Sequence, residues 1–273
     1  MWSFYNNEFI HEENIGISLN DRAFQYGDGV FETMKVNNGK ILFSDDHFER
    51  LTIGLKVLQL TLPIDLQTIY HTTTTLCKKN KIDNARAKIM IWRKPGGLFT
   101  PTATESNILI VCKPFSPAPL QKKDVLFAKK SKLTYTPTSQ FKTLSALPYI
   151  LAGLEKKERN SEDLILTNTS GEIAECISSN IFWVKNDIVY TPAINSGCIA
   201  GIVRKNIIKT CHEKGIPIQE GLYQPKDLLS SDIAFCSNIA GISIIKKIED
   251  RSFEQKAIIS DKIIATINKK LIF

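Results

Sequence analysis

Lys113-Pro114-Phe115-Ser116-Pro117-Ala118-Pro119-Leu120-Gln121 is the stretch on which the organisation of this chain turns. Three prolines in nine residues fix the backbone, remove three amide donors and leave little apolar surface to bury. That is how an extended connection between two folded units reads. The boundaries follow: a small N-terminal α+β unit over residues 1–115, a linker over 116–121 and a larger unit over 122–273. A chain of 273 residues is long enough for two cores.

Upstream of the linker, Ile41 to Phe43 is strand-like, Ser44 and Asp45 offer a helix cap, and Phe48, Leu51, Leu55 and Leu58 recur at helical spacing before Pro63. Ala87 to Trp92 and Asn107 to Cys112 read as buried strands, joined by a loop holding Pro95, Gly96, Gly97 and Pro101. Downstream, Val125 to Lys129 is strand-like and Leu147, Leu151 and Leu154 form a helical stripe. Short strands are predicted at Asp163 to Thr167, Asn180 to Lys185 and Asp187 to Thr191. Val203, Ile207, Ile208 and Cys211 mark another helix, stopped by Gly215 and Pro217. Strands at Ile216 to Glu220, Asp232 to Cys236 and Ile242 to Ile248 follow, then a basic amphipathic helix from Gln255 to Leu271. Strands and helices mixed in this order predict an α/β (α+β) architecture.

Composition removes several classes of function. With 43% hydrophobic and 23% charged residues the chain has the balance of a globular protein. Its apolar runs are far shorter than the roughly 20 residues that span a membrane. The first residues, with Glu8, Glu12 and Glu13, lack the organisation of a secretory signal, so a cytoplasmic location is expected. A net charge of +7 raises the question of nucleic acid, but the lysines fall in short pairs such as Lys78-Lys79 and Lys246-Lys247 at the ends of apolar segments, a pattern of solvated faces. The six cysteines and four histidines are scattered in sequence, which predicts reduced thiols and no metal site.

Four places could carry chemistry. Gly201-Ile202-Val203-Arg204 stands where a glycine turn opens a helix, and the unpaired amides of such an end bind anions. Arg50, at the flank of an apolar helical stripe, could supply a second phosphate ligand or a surface ion pair. Glu175, between apolar segments, is a carboxylate that needs a partner if buried; a protonated pyridine nitrogen would be one, and a plain turn carboxylate is the alternative. Lys142 follows Phe141 in a polar connection, and spacing alone does not distinguish it from other lysines.

As a set, these positions resemble the class IV aminotransferase family, the fold type IV pyridoxal-phosphate enzymes, over nearly the whole chain. The resemblance rests on the run Asn20 to Glu32, on His47-Phe48-Glu49-Arg50-Leu51, on Phe141-Lys142-Thr143-Leu144, on Glu175 with Ser178-Ser179-Asn180, and on Gly201-Ile202-Val203-Arg204, in the family's order and spacing. It implies a small N-terminal α/β domain and a larger C-terminal pseudo-barrel domain, with pyridoxal 5'-phosphate lying between them in a homodimer. Lys142 would hold the cofactor covalently and act as the catalytic base. Glu175 would contact the pyridine nitrogen, and Arg50 with the amides of Ile202 and Val203 would bind the phosphate. Ser179, Ser237 and Asn238 match further cofactor contacts, and Tyr26, Phe31 and Arg93 match the substrate side.

The chain departs from the family pattern in places that bear on substrate. Val203 stands where many members have threonine, which keeps the amide and loses a hydroxyl. Phe31, together with a loop from Lys94 to Thr100 that has neither arginine nor histidine, lowers the D-amino-acid subfamily. Cys176 to Ser179 replaces the glycine-rich stretch common in branched-chain transaminases. Lys142-Thr143-Leu144 and Arg93 with Gly96 and Gly97 resemble aminodeoxychorismate lyases, although Leu98 stands where some carry arginine. Three functions therefore remain open. They are transamination between an amino acid, branched-chain included, and a 2-oxo acid; release of pyruvate from 4-amino-4-deoxychorismate to give 4-aminobenzoate; and non-catalytic anion binding by a basic protein.

Overall fold

A computed structural model describes residues 1–253 together with 265, 266 and 269; the helix expected from Gln255 to Leu271 lies, those three residues apart, outside the described residues. The chain divides into two compact units, one of residues 1–116 with 141–145 and one of residues 117–140 with 146–273.

The first unit is built on an antiparallel sheet. Its elements are β1 (Trp2–Tyr5), β2 (Glu8–His11), α1 (Arg22–Tyr26), β3 (Gly29–Asn37), β4 (Lys40–Ile41), α2 (Ser44–Val57), α3 (Leu66–Lys79), β5 (Asn84–Arg93) and β6 (Ser106–Pro114). The strands lie in the order β2-β1-β6-β5-β3-β4, with β3 and β5 in register from Gly29 opposite Trp92 to Asn37 opposite Asn84. Helices α2 and α3 cover the sheet, and Met34, Ile69, Leu76, Ile89, Ile91, Ile108 and Ile110 form a core with no solvent exposure. Ser44 and Asp45, expected as the cap of α2, lie inside it: the cap is Phe43, in the left-handed region at φ 54°, and Ser44, Asp45 and Asp46 form the first turn, where negative charge suits the helix end.

The segment 141–145 joins this unit, whereas the sequence reading placed all of 122–273 in the second. The reason is an open sheet edge. Among the described residues β4 pairs with Val36 and Asn37 alone, which leaves the start of β3 open on that side to the 142–144 segment. Phe31 N donates to Lys142 O at 2.9 Å and Leu144 N donates to Gly29 O at 3.0 Å. Only glycine fits at 29, since a Cβ there would stand 2.5 Å from Ile91 O and 2.8 Å from Leu144 Cδ1.

The second unit contains β7 (Gln121–Lys122), β8 (Val125–Leu133), α4 (Leu147–Glu158), β9 (Asp163–Asn168), β10 (Ile173–Cys176), β11 (Asn180–Lys185), β12 (Ile188–Pro192), α5 (Ile202–Glu213), β13 (Ile218–Gly221), α6 (Pro225–Leu229), β14 (Ile233–Asn238), β15 (Gly241–Ile245), β16 (Lys247–Ile248) and β17 (Arg251–Ser252). Two mixed sheets result, β10-β9-β8-β16-β17 and β13-β12-β11-β14-β15-β7. The single strand expected from Ile242 to Ile248 is two strands, one in each sheet. Periodicity identified α4 correctly but not its orientation: Ala152 and Glu155 face inward, while Leu147, Leu151 and Leu154 are exposed. Among the described residues, no helix is long and apolar enough to cross a membrane.

Candidate active site

In the first unit, Lys142 is placed by its neighbour. Phe141 is buried in the core, and a Cβ at Gly54 of α2 would meet its ring at 2.9 Å, so the helix and the ring are in close contact. Lys142 itself is half-buried, and its Nζ lies 5.6 Å from the centre of the Phe31 ring. Lys88 Nζ lies 4.5 Å from the same ring. Tyr26, at the end of α1, carries the Arg22 guanidinium over its ring at 4.7 Å and faces Phe99 at 5.7 Å.

Arg50 occurs in a buried cluster. Glu32 on β3 accepts from Arg50 Nε at 2.7 Å, from Arg50 Nη2 at 2.6 Å and from His47 Nδ1 at 2.7 Å. Burial alone would push the Glu32 carboxyl up, but Arg50 and His47 outweigh it and hold it at about 2. Burial also pushes His47 down, so its ring is neutral, donates through Nδ1 to the ionised Glu32, and leaves Nε2 without a hydrogen-bond partner. The helical spacing of His47 and Arg50 was visible in sequence; Glu32, fifteen residues before His47, was not assigned a role.

Arg93 is engaged inside the fold. Its Nε donates to Asp28 at 2.9 Å, its Nη2 to Leu58 O at 2.5 Å and its Nη1 to Ala103 O at 2.9 Å. Arg22 shares Asp28 at 2.8 Å and gathers the carbonyls of Gly96, Gly97 and Leu98. Burial would raise the Asp28 carboxyl, yet the two guanidiniums bring it below its ordinary value. The two arginines thus shape the loop between β5 and β6, and a substrate contact expected of Arg93 would come through that loop.

In the second unit, Glu175 on β10 is buried and surrounded by donors. Tyr149 OH donates to its Oε1 at 2.6 Å, Ile199 N to the same oxygen at 3.2 Å, and Asn180 Nδ2 to its Oε2 at 3.2 Å. Such a set matches an ionised, acceptor-only carboxylate. Tyr149 was missed in sequence because its partner stands 26 residues away and on another element.

Asn180 ties that carboxylate to the start of α5. Its Nδ2 also donates to Ile199 O at 2.8 Å, and a Cβ on Gly201 would stand 1.9 Å from its Oδ1. Gly201 is the cap of α5, with no side chain capping the helix and no acidic residue in its first turn, so the end that carries the Ile202 and Val203 amides is open to an anion. Asn180 pairs with Ser237 in the β11–β14 ladder. Ser237 Oγ is buried without a hydrogen-bond partner among the described residues, which native interiors rarely tolerate without a ligand or water, while the Ser179 hydroxyl faces the Cys236 thiol. Asn238 donates to Ser178 O at 3.0 Å and accepts from Ala240 N at 2.8 Å, closing the neighbouring turn. A phosphate group fits these donors, and a pyridine nitrogen fits Glu175.

The fold also gathers cysteines that the sequence scatters. Asp163, Cys176 and Cys236 bring their donor atoms within 4.8 Å of one another, all buried, with Lys122 ion-paired to Asp163. The ammonium already meets the carboxylate's charge, so this is a packed polar cluster with its own counter-ion.

A family model described as amino-transferase class IV matches residues 29–248. The chain is 29% identical to the aminodeoxychorismate lyase of Bacillus subtilis (strain 168) over 261 residues, 92% of this chain and 87% of that protein. It superposes with a TM-score of 0.91 on the branched-chain aminotransferase of Thermoproteus uzoniensis with norvaline, at 23% identity over 99% of this chain and 95% of that one. The branched-chain amino acid aminotransferase of Escherichia coli gives 0.89 at 20% identity, covering 96% of this chain and 91% of that one. A further branched-chain aminotransferase structure, the T.th. enzyme with pyridoxamine 5'-phosphate, also gives 0.89, at 16% identity over 99% and 93%.

Proposed function

The chain belongs to the class IV aminotransferase family, and on that premise we propose that it is a pyridoxal-phosphate-dependent aminotransferase. It moves an amino group between an amino acid, branched-chain amino acids among the candidates, and a 2-oxo acid. The observation that carries this reading is the link through Asn180. One side chain joins a buried carboxylate to a glycine-capped helix start, with the orphaned Ser237 hydroxyl on the residue paired to it in the next strand. A ring nitrogen at one end and a phosphate at the other account for both.

Bound pyridoxal phosphate supplies an electrophilic aldehyde carbon and a ring that accepts the electron pair released when an amino acid loses its Cα proton. Lys142 would hold the cofactor and, once its amine is freed, move the proton from Cα. Glu175, ionised and fixed by its donors, would keep a proton on the ring nitrogen. The amides of Ile202 and Val203 with Ser179 and Ser237 would bind the phosphate, and Arg50, oriented by Glu32, would complete that charge balance. Asn238 would hold the adjoining turn. Tyr26 and Phe31 would line the substrate side, where Phe31 offers an apolar wall and no hydroxyl to a carboxylate.

We also infer a homodimer in the cytoplasm. Leu147, Ile150, Leu151 and Leu154 leave one side of α4 apolar and exposed, a face that a second copy would cover. The cysteines are free thiols, which suits a reducing compartment. Light scattering tests the first point by mass.

The functional test is a half-reaction on cofactor-loaded protein with single amino acids. A transaminase converts the visible absorbance to that of the pyridoxamine form and releases the matching 2-oxo acid. The likeness to an aminodeoxychorismate lyase supports a second reading, in which pyruvate and 4-aminobenzoate appear from aminodeoxychorismate with no acceptor present. Conversion by no amino donor would overturn the first reading in favour of the second.

A further inference from the structure

Tyr149 has no part in the scheme above, yet its contact with Glu175 is the shortest of those described for that carboxylate, 2.6 Å against 3.2 Å for both Ile199 N and Asn180 Nδ2. The tyrosine is also rigidly placed. It sits in the first turn of α4, where Pro148 O accepts Ser131 Oγ at 2.7 Å. One turn further on, Ala152 is fully buried, and Glu155 accepts the amides of Lys129 and Lys130 at 2.8 to 3.1 Å. These contacts tie the helix to β8 and leave the phenol little freedom to retreat.

A hydroxyl donating to a carboxylate is a charge-assisted bond, roughly twice as strong as a neutral one. Burial, with Glu175 beside it, pushes the Tyr149 phenol well above its ordinary range, so it keeps its proton and remains a donor. With Oε1 held by Tyr149 and Ile199, and Oε2 by Asn180, the carboxylate plane is fixed from both sides. The direction in which its remaining lone pairs point is then set by the protein before any ligand arrives.

We propose that Tyr149 is a positioning residue for the aminotransferase reaction, holding the Glu175 carboxylate in the plane from which it keeps the cofactor's ring nitrogen protonated. This rests on the functional reading given above. Tyr149 acts through Glu175 and makes no demand on the substrate.

The test compares Tyr149→Phe in two backgrounds, wild-type and Glu175→Gln. Phenylalanine keeps the ring and removes only the hydroxyl, and a melting curve followed by circular dichroism identifies the folded variant. In the wild-type background kcat falls about tenfold while KM for the amino donor stays within about twofold. In the Glu175→Gln background the same change has less than about a twofold effect, because the hydroxyl no longer has its carboxylate. The nitrogen-15 resonance of ring-labelled cofactor moves towards the unprotonated value in Tyr149→Phe. Equal losses in both backgrounds with an unmoved resonance overturn the proposal, as does an effect confined to KM. If wild-type protein holds no borohydride-reducible cofactor at all, the functional reading fails, and that is seen before any variant is made.

Discussion

Arg50 meets Glu32 as a two-pronged pair, Nε to Oε1 at 2.7 Å and Nη2 to Oε2 at 2.6 Å, with both side chains buried. A guanidinium has five N–H donors, and this pairing uses one edge of the fork to fix the plane of the whole group. The arginine is thereby aimed. Its orientation depends on a carboxylate from the neighbouring strand.

Replacing Glu32 with glutamine leaves a buried guanidinium facing a neutral amide. Breaking a buried pair in this way costs about 3 kcal/mol or more. A lower melting temperature is expected, together with cofactor binding weakened about tenfold. Both are measured on the purified variant, by calorimetry and by titration of apoprotein with pyridoxal phosphate. Unchanged values for both would remove Glu32 from the account.

The same residue sets an acid limit. Its carboxyl, at about 2 in the folded protein, is depressed from its ordinary 4.5, so the stabilisation is complete above about pH 4.5 and is lost as pH falls towards 2. The shift corresponds to about 3 kcal/mol. His47 adds to this from the other direction: buried and held neutral, it takes up a proton on unfolding once the pH drops below 6.5, its ordinary value. Stability should therefore fall progressively from near pH 6.5 downward, most steeply below 4.5. An acid-unfolding curve that is unchanged in Glu32→Gln would contradict the assignment.

Ser179 and Ser237 give a prediction in which stability and binding separate. The Ser237 hydroxyl is buried without a partner among the described residues, so Ser237→Ala removes an unsatisfied group and the apoprotein should be as stable as the wild type or slightly more so; Ser179→Ala, which loses only a contact with the Cys236 thiol, should be nearly neutral. Phosphate affinity moves the other way. Pyridoxal phosphate binding should weaken about fivefold for each hydroxyl lost, in keeping with about 1 kcal/mol per hydrogen bond. A destabilised apoprotein with normal cofactor affinity would mark these serines as structural.

Gly201→Ala tests the bridge through Asn180. A methyl group 1.9 Å from Asn180 Oδ1 forces that side chain away from both Ile199 O and Glu175. The variant should lose cofactor affinity and turnover together, each by at least about tenfold, since one displacement disturbs the helix start and the carboxylate at once. Loss of one without the other would show that the two ends are independent.

Much of this was legible in the sequence where the signal is local. The strand from Ala87 to Trp92, the helix of Val203, Ile207 and Cys211, and the glycine that opens it all follow from spacing and caps. α3 went unassigned because its core face carries Thr72 and Thr73 between Ile69 and Leu76, with Thr73 Oγ1 bonded back to Ile69 O; threonine runs do not advertise a helix. β3 was hidden by Glu32 and Lys35, charged residues at buried strand positions that make sense only once Arg50 and His47 are beside the first. α4 shows the limit of periodicity, which reports a helix but not what covers its apolar side. The roles expected of Glu175, Lys142 and the start of α5 come from the family resemblance. Tyr149 and the Asp163–Cys176–Cys236 cluster depend on pairings across distant elements, and no local pattern announces them.

The central claim is tested most directly by reducing the cofactor-loaded protein with borohydride and mapping the pyridoxyl label by peptide mass spectrometry. The label is expected on the peptide containing Phe141-Lys142-Thr143-Leu144, at Lys142, with the visible absorbance lost in the same step. A label on any other lysine, or a protein that takes up none, would contradict the account.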